Sequence, residues 1–186
     1  MAAAVKLSNA PFRSVEHALE AAYRGESLSV CMMSSDPRHG AIRSTVTVSP
    51  YDQTAQSVFV LGLMRRSLPE QMRDVLDAYY TVPQGITLEG RKECSTRLLS
   101  WRLWEQMGQI PDRWYLCDVM RGWNRHGQRE HDDAWWAEHL RATRRTLRNW
   151  RTGWSEHSGM IPILDALLDG AHGRLLDVYR EEGLCE

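Results

Sequence analysis

"DDAWWAEHLRATRRTLRNWRTG", residues 132–153, is the stretch on which the reading of this chain turns. Asp132 or Asp133 can cap a helix whose inward positions are Trp136, Ala137 and Leu140. Thr143 can cap a second helix whose inward positions are Leu147 and Trp150. Ala137 is small where two helices must cross closely, and Ala142 fills the turn between them. A small residue, a turn and a threonine cap between two short helices are the ingredients of a helix-turn-helix. The turn position usually held by glycine is Arg141, which must adopt a left-handed conformation or shift the turn.

With Leu147 and Trp150 facing inward, Arg144, Arg145, Arg148, Asn149 and Thr152 face outward. Arginine donates two parallel hydrogen bonds to guanine O6 and N7, and asparagine does the same with adenine N6 and N7. Thr143 and the backbone N–H groups behind it sit where a helix N-terminus binds phosphate. Arg141 and Arg151 are placed to contact phosphates as well. The competing reading is a solvated basic helix, but such faces mix signs, with an acid spaced against each base. Residues 139–151 hold five arginines and no acid. A DNA-reading surface is the better account of that imbalance. The run A-x-x-L-x-x-T-x-x-T-L-x-x-W, from Ala137 to Trp150, is similar to one common in bacterial and phage DNA-binding domains.

Charge along the chain supports this placement. The net charge of the 186 residues is −1, which taken alone argues against a nucleic-acid binder. Residues 1–120 balance thirteen bases with thirteen acids, 121–154 hold eight arginines against four acids, and 155–186 hold two arginines against seven acids. A basic block ahead of an acidic tail attracts phosphate locally while the whole chain stays near neutral. These shifts suggest three regions: 1–120, helical and partner-contacting; 121–154, the helix-turn-helix; and 155–186, an acidic helical tail.

The expected fold class is mainly α, a multi-helix single domain containing the helix-turn-helix. "RSVEHALEAAYRG" reads as a short helix capped by Ser14, with Val15, Ala18, Leu19 and Ala22 on one face and Gly25 ending it. Residues 26–50, with "STVTV" and "SDPRHG", read as a short β-hairpin or an ordered loop. From residue 51, Tyr51, Ala55, Val58, Phe59 and Gly62 keep a helical period. Ser67 with Glu70 forms a capping box for a helix carrying Met72, Val75, Leu76, Tyr79 and Tyr80. A longer helix follows over roughly 88–107, with Cys94, Leu98, Trp101 and Glu105 on one side and Gly108 as its stop. Pro111 and Asp112 suit the first turn of the next. The tail reads as two helices separated by Gly170 and Gly173. All eight tryptophans lie between Trp101 and Trp154 and suggest an aromatic core for the C-terminal half.

Nothing in the sequence asks for catalysis. There is no P-loop, GxSxG or GxGxxG, and no paired-carboxylate signature. His126, His131 and His139, with Cys117 and Asp132, lack zinc-ligand spacing and read as surface histidines. No metal, cofactor or catalytic residue is expected. Cys31, Cys94, Cys117 and Cys185 form no CxxC and read as reduced thiols. With no apolar run of membrane length and no secretory h-region, the expected location is the cytoplasm.

The layout as a whole, "LPEQMRDVLDAYYTVP" at 68–83 and "AEHLRATRRTLRNWRTG" at 137–153, resembles the Q-type transcription antitermination factors of lambdoid phages. The zinc-finger cysteines of the lambda type are absent, which excludes that subtype. The resemblance implies a factor that binds duplex DNA near a promoter and engages RNA polymerase paused with its sigma factor. It would then travel with the enzyme so that terminators are read through. Two alternatives stand beside it: a helix-turn-helix promoter-binding activator or repressor, with self-association through the tail, and an adaptor whose arginines dock an acidic protein instead of DNA.

Overall fold

The computed structural model describes residues 10–33, 50–81, 98–105, 108, 112–125, 127–153 and 159–185. Among these residues every regular element is helical: α1 (Val15–Met33), α2 (Pro50–Ser67), α3 (Glu70–Tyr80), α4 (98–105), α5 (Arg113–Trp123), α6 (Asp133–His139), α7 (Arg144–Thr152) and α8 (Met160–Glu181). The one β contact among them is an isolated bridge between Phe12 and Cys185. The chain is therefore mainly α, as its periodicities suggest. No described helix is long and apolar enough to cross a membrane.

Two compact units form, and they cut the chain differently from its charge blocks: residues 1–68 with 172–186, and residues 69–171. In the first, Ser14 Oγ accepts from His17 N at 3.2 Å and caps α1, as expected. Val15, Ala18, Leu19, Ala22 and Tyr23 of α1 are buried, as are Val60, Leu61, Leu63 and Met64 of α2 and Leu175 and Tyr179 of α8. The Tyr179 hydroxyl donates to Val60 O at 3.1 Å, and Phe12 N donates to Leu184 O at 3.0 Å. These two bonds tie the C-terminal end of the chain to its N-terminal helices.

Several local expectations give way to packing. Gly25 does not end α1, which runs on to Met33, so residues 26–33 are helix and not hairpin or loop. Gly25 is itself buried, and the cost of a mid-helix glycine, about 1 kcal/mol, is small beside the apolar face that α1 buries. Pro50 already belongs to α2, and the remainder of the 26–50 segment lies outside the described residues. The helix expected from the period of Tyr51, Ala55, Val58, Phe59 and Gly62 is present as α2, but that period does not mark its buried face. Val58 and Phe59 are exposed, and Ser57, Val60, Leu61 and Met64 turn inward. The segment "SVFVLGLM" is apolar nearly all round, so its period could not select a face. Ser67 forms no capping box. It is the last residue of α2, Leu68 N still bonds Met64 O, and α3 starts behind Pro69 with no side-chain cap.

The tail is one helix, not two. α8 passes through Gly170 and Gly173, because Leu164, Leu168, Ala171, Leu175 and Tyr179 form one buried stripe along it.

The second unit is organised around α5. Asp112 caps it by accepting from Trp114 N at 2.6 Å, and Tyr115, Leu116, Cys117, Asp118, Val119 and Met120 are buried. α3 and α4 are joined by Arg102, whose guanidinium pairs with Asp74 at 2.6 Å and Glu70 at 2.8 Å. Burial raises the Asp74 carboxyl above its ordinary value despite the Arg102 charge beside it. At the far end of α5, buried Asn124 donates its side-chain amide to Ala78 O and to Tyr79 O, closing the C-terminus of α3. Trp123 Nε1 donates to Asp165 of α8 at 2.8 Å.

The tryptophans are not the core of this unit. Trp136 is buried, but Trp101, Trp104, Trp114 and Trp135 are 40–52% exposed. The buried rings are mostly tyrosines, among them Tyr80 and Tyr115. Leu98, Trp101 and Glu105 of α4 do share one side, and that side faces solvent; Leu99 and Leu103 face inward. Gly108, at φ +55° with its N–H on Trp104 O, closes α4 as expected, while Cys94 lies outside the described residues.

Candidate functional site

Two short helices joined by a turn stand where the sequence places them, α6, the turn at 140–143 and α7, and their local chemistry is explicit. Asp132 Oδ1 accepts from Trp135 N at 2.8 Å and caps α6. Thr143 Oγ1 accepts from Thr146 N at 3.1 Å and caps α7. Between the caps, Arg141 N bonds Glu138 O at 3.3 Å and Ala142 N bonds Ala137 O at 3.0 Å. This pair of bonds is the Schellman arrangement, in which the residue after the helix C-cap turns left-handed. That residue is Arg141, at φ +50°. The chain thus takes the left-handed option that its sequence left open, and the turn is not displaced.

Leu147 is fully buried, Trp136 is buried, and Ala137, Leu140 and Trp150 are half-buried. α5 supplies the floor on which they rest. Tyr115 donates its hydroxyl to Leu147 O at 2.9 Å, and its ring meets Trp136 and Trp150 edge-on at 5.4 and 6.0 Å. Burial pushes the Tyr115 hydroxyl up to about 12, against the pull of Arg151 and Arg129.

A polar network locks the two helices onto α5. Asp118, buried on α5, accepts from Trp136 Nε1 at 2.6 Å, from Glu130 N at 2.6 Å and from Arg129 Nε at 3.2 Å. Arg129 reaches on to Asp133 at 2.5 Å. Asp133 in turn holds Arg151 of α7, whose terminal nitrogen lies 3.0 and 3.1 Å from its two oxygens. Burial alone would raise the Asp133 carboxyl, but the Arg129 hydrogen bond and the Arg151 and Arg129 charges outweigh it and hold it below the ordinary carboxylate value. Burial likewise works against the Arg129 charge, and Asp133 and Asp118 more than restore it. Gly122 makes room for this network, because a Cβ there would collide with the Arg129 side chain.

The anticipated site residues therefore divide. Arg141, Thr143, Arg144, Arg145, Arg148 and Thr152 are exposed on the turn and the outer face of α7, and Asn149 is half-buried at its margin. Thr152 donates its hydroxyl back to Arg148 O at 2.9 Å, and Thr143 shares a 2.8 Å contact with the Thr146 hydroxyl. Among the described residues, no acidic side chain pairs with Arg141, Arg144, Arg145 or Arg148. Arg151 is different: it is turned inward onto Asp133 and braces α6 against α7.

Sequence reasoning missed Asp118, Arg129 and the bridging role of Asp133. The Arg129–Asp133 pair has helical i,i+4 spacing and was legible, whereas Asp118 acts across the chain and left no local signal. His131 and His139 hold no metal-like cluster among the described residues. They stack on the two faces of exposed Trp135, with centroids at 3.7 and 4.7 Å. His126 lies outside the described residues. Cys117 and Cys185 are buried free thiols. Comparison of the chain with family models, with curated proteins and with solved structures finds no match.

Proposed function

We propose that this protein is a sequence-specific DNA-binding transcription regulator that reads duplex DNA with α7 and acts as an antitermination factor. The observation that carries the DNA reading is the segregation of arginines on this element. The arginine that faces inward is matched by a carboxylate, while Arg144, Arg145 and Arg148 project from α7 with no acid against them among the described residues. An isolated cluster of like charge on a short, rigidly braced helix costs self-repulsion and is relieved by a polyanion.

In this reading α6, α7 and the turn act as a helix-turn-helix, with α7 in the major groove. Arg144, Arg145 and Arg148 address guanine edges, and Asn149 addresses an adjacent adenine. Arg141, Thr143 and the N–H groups at the start of α7 take phosphates on either side. Thr152 lies at the far end of the same face, and Arg151 acts as a strut. The antitermination role rests on the resemblance in layout to the Q-type factors, with RNA polymerase and its sigma factor as the protein partners. No catalytic step is assigned.

Transcription in vitro on a template carrying a promoter-proximal binding element and a downstream terminator tests both levels. The expected outcome is increased readthrough with little change in initiation, lost in Arg148→Ala along with sequence-selective DNA affinity. A change in initiation alone would favour a promoter-binding activator or repressor. If neither readthrough nor DNA affinity depends on Arg148, the assignment of α7 fails, and an adaptor that docks an acidic protein becomes the better reading.

A further inference from the structure

Within the second unit, α4 and α5 border a cleft of about 190 Å³. Among the described residues it is lined by Trp101 of α4 and by Arg113, Trp114 and Cys117 of α5. The two indoles are 50% and 52% exposed, whereas Cys117 is buried. The Cys117 sulfur lies 3.0 Å from the Ser100 hydroxyl oxygen, so its hydrogen bond is met within the protein and it offers the cleft a soft, apolar surface.

Three properties of this lining select a ligand. Size is the first. Drug-sized molecules occupy about 300–1,000 Å³, whereas a dry cavity of about 150 Å³ accepts benzene. One ring with a short substituent therefore fills the cleft. Shape is the second, because indole rings favour a flat aromatic guest, offset-stacked or edge-on. Charge is the third. The Arg113 guanidinium carbon sits 4.1 Å from the centre of the Trp101 ring, and no acid pairs with it among the described residues. Arg102, one residue along α4 from Trp101, is spent on Asp74 and Glu70, which leaves Arg113 as the cation of the cleft. A guanidinium stacked on a ring keeps its N–H fork for a carboxylate.

We propose that this cleft binds a small aromatic carboxylate, its ring against Trp101 and Trp114 and its carboxylate on Arg113. The site does not rest on the DNA reading, and its occupancy is measured without DNA. The small, partly open lining limits affinity, so half-saturation on the order of a millimolar is expected for a probe as small as benzoate.

The test is a titration of the full chain with sodium benzoate, benzamide and sodium acetate, read by the indole N–H signals in NMR. Trp101→Phe and Trp114→Phe each delete one signal and so assign the two rings. Benzoate is expected to shift both signals saturably. Benzamide, which has the ring without the charge, and acetate, which has the charge without the ring, should each bind at least about tenfold more weakly. Arg113→Gln should weaken benzoate by about tenfold and leave benzamide unchanged. Its circular dichroism melt should not move, since Arg113 is exposed. Trp114→Ala removes a wall instead and should weaken benzoate and benzamide alike.

Three results would each overturn the proposal. One is no saturable shift of the two signals up to about 50 mM benzoate, far above the expected half-saturation. Another is acetate binding as well as benzoate, which would reduce the site to a bare anion contact. The third is benzoate affinity untouched by Arg113→Gln, which would leave an apolar cleft with no recognition of acid.

Discussion

Replacing Arg141 by glycine and, separately, by alanine divides what its backbone does from what its side chain does. Both changes remove the guanidinium, but only glycine removes the Cβ that makes φ +50° unfavourable. A residue with a side chain pays about 1–2 kcal/mol to sit in the left-handed region. Glycine returns about 0.4–1 kcal/mol of the saving through the greater freedom of its unfolded chain. Arg141→Gly is therefore expected to be more stable than Arg141→Ala by about 0.8 kcal/mol, the difference between the middles of those two ranges. Arg141 is exposed and no described acid pairs with it, so loss of its side chain should change stability by less than about 0.5 kcal/mol in either variant. Urea unfolding followed by tryptophan fluorescence measures the difference, with equal slopes required for the comparison. Affinity for the binding element should fall equally in both variants and for all sequences alike, as expected for a phosphate contact. If alanine proves as stabilising as glycine, the left-handed turn is wrong. If the two variants lose DNA affinity unequally, the turn geometry and not the guanidinium governs binding.

Other consequences follow from the network beneath the turn. Asp118→Ala strands the buried Trp136 indole N–H and leaves Arg129 with Asp133 alone, and should cost about 1–3 kcal/mol in chemical denaturation; a loss well under about 1 kcal/mol would show that water replaces the carboxylate. Tyr115→Phe deletes the bond to Leu147 O and should cost about 1 kcal/mol. Because the folded pKa of Tyr115 is raised to about 12, its stabilisation is complete below the unfolded value near 10 and declines as pH rises toward 12. An ultraviolet titration in which every tyrosine ionises near 10 would contradict this. Asp133 has the opposite sign: its folded pKa is depressed, so its contribution is present above the ordinary carboxylate value and is lost as pH falls below it through the folded pKa. Asp133→Asn should flatten that part of the acid-unfolding curve, and an unchanged curve would remove Asp133 from the account.

How far the sequence could be read follows the range of the forces involved. The α6–α7 element was legible because its determinants are local: Asp132 and Thr143 bond backbone groups within a turn of themselves, and Arg141 is constrained by its own φ. Leu147 could be placed inward because it is almost alone among charged neighbours. The buried face of α2 was illegible for the opposite reason, since residues 57–64 are apolar nearly all round and give the period no direction. Gly25, Gly170 and Gly173 looked like helix ends because their cost is local, while the buried stripes that override it come from distant segments. Ser67 and Glu70 match a capping box in pattern, yet Leu68 and Pro69 extend one helix and begin the next around them. Asp118, the centre of the site's support, could not be identified at all, because its partners lie between residues 129 and 136.

The arginines of residues 121–154 show how one residue type serves two ends. Arg121 pairs with Glu130 at 2.7 Å, Arg129 with Asp118 and Asp133, and Arg151 with Asp133. Those pairs engage acids at 118, 130 and 133, all within or just before the basic block. They use its negative charge on the side that faces α5. What remains is a turn and a helix face carrying Arg141, Arg144, Arg145 and Arg148 without a counter-charge among the described residues. A solvated helix would spread its acids among these arginines, since pairs spaced i,i+4 add about 0.2–0.5 kcal/mol each. Here the acids lie behind the helix, where they make it rigid and leave its outer field uncancelled. On the proposed DNA reading both properties are needed at once, and a helix whose arginines were paired along its own surface would lack the uncancelled field.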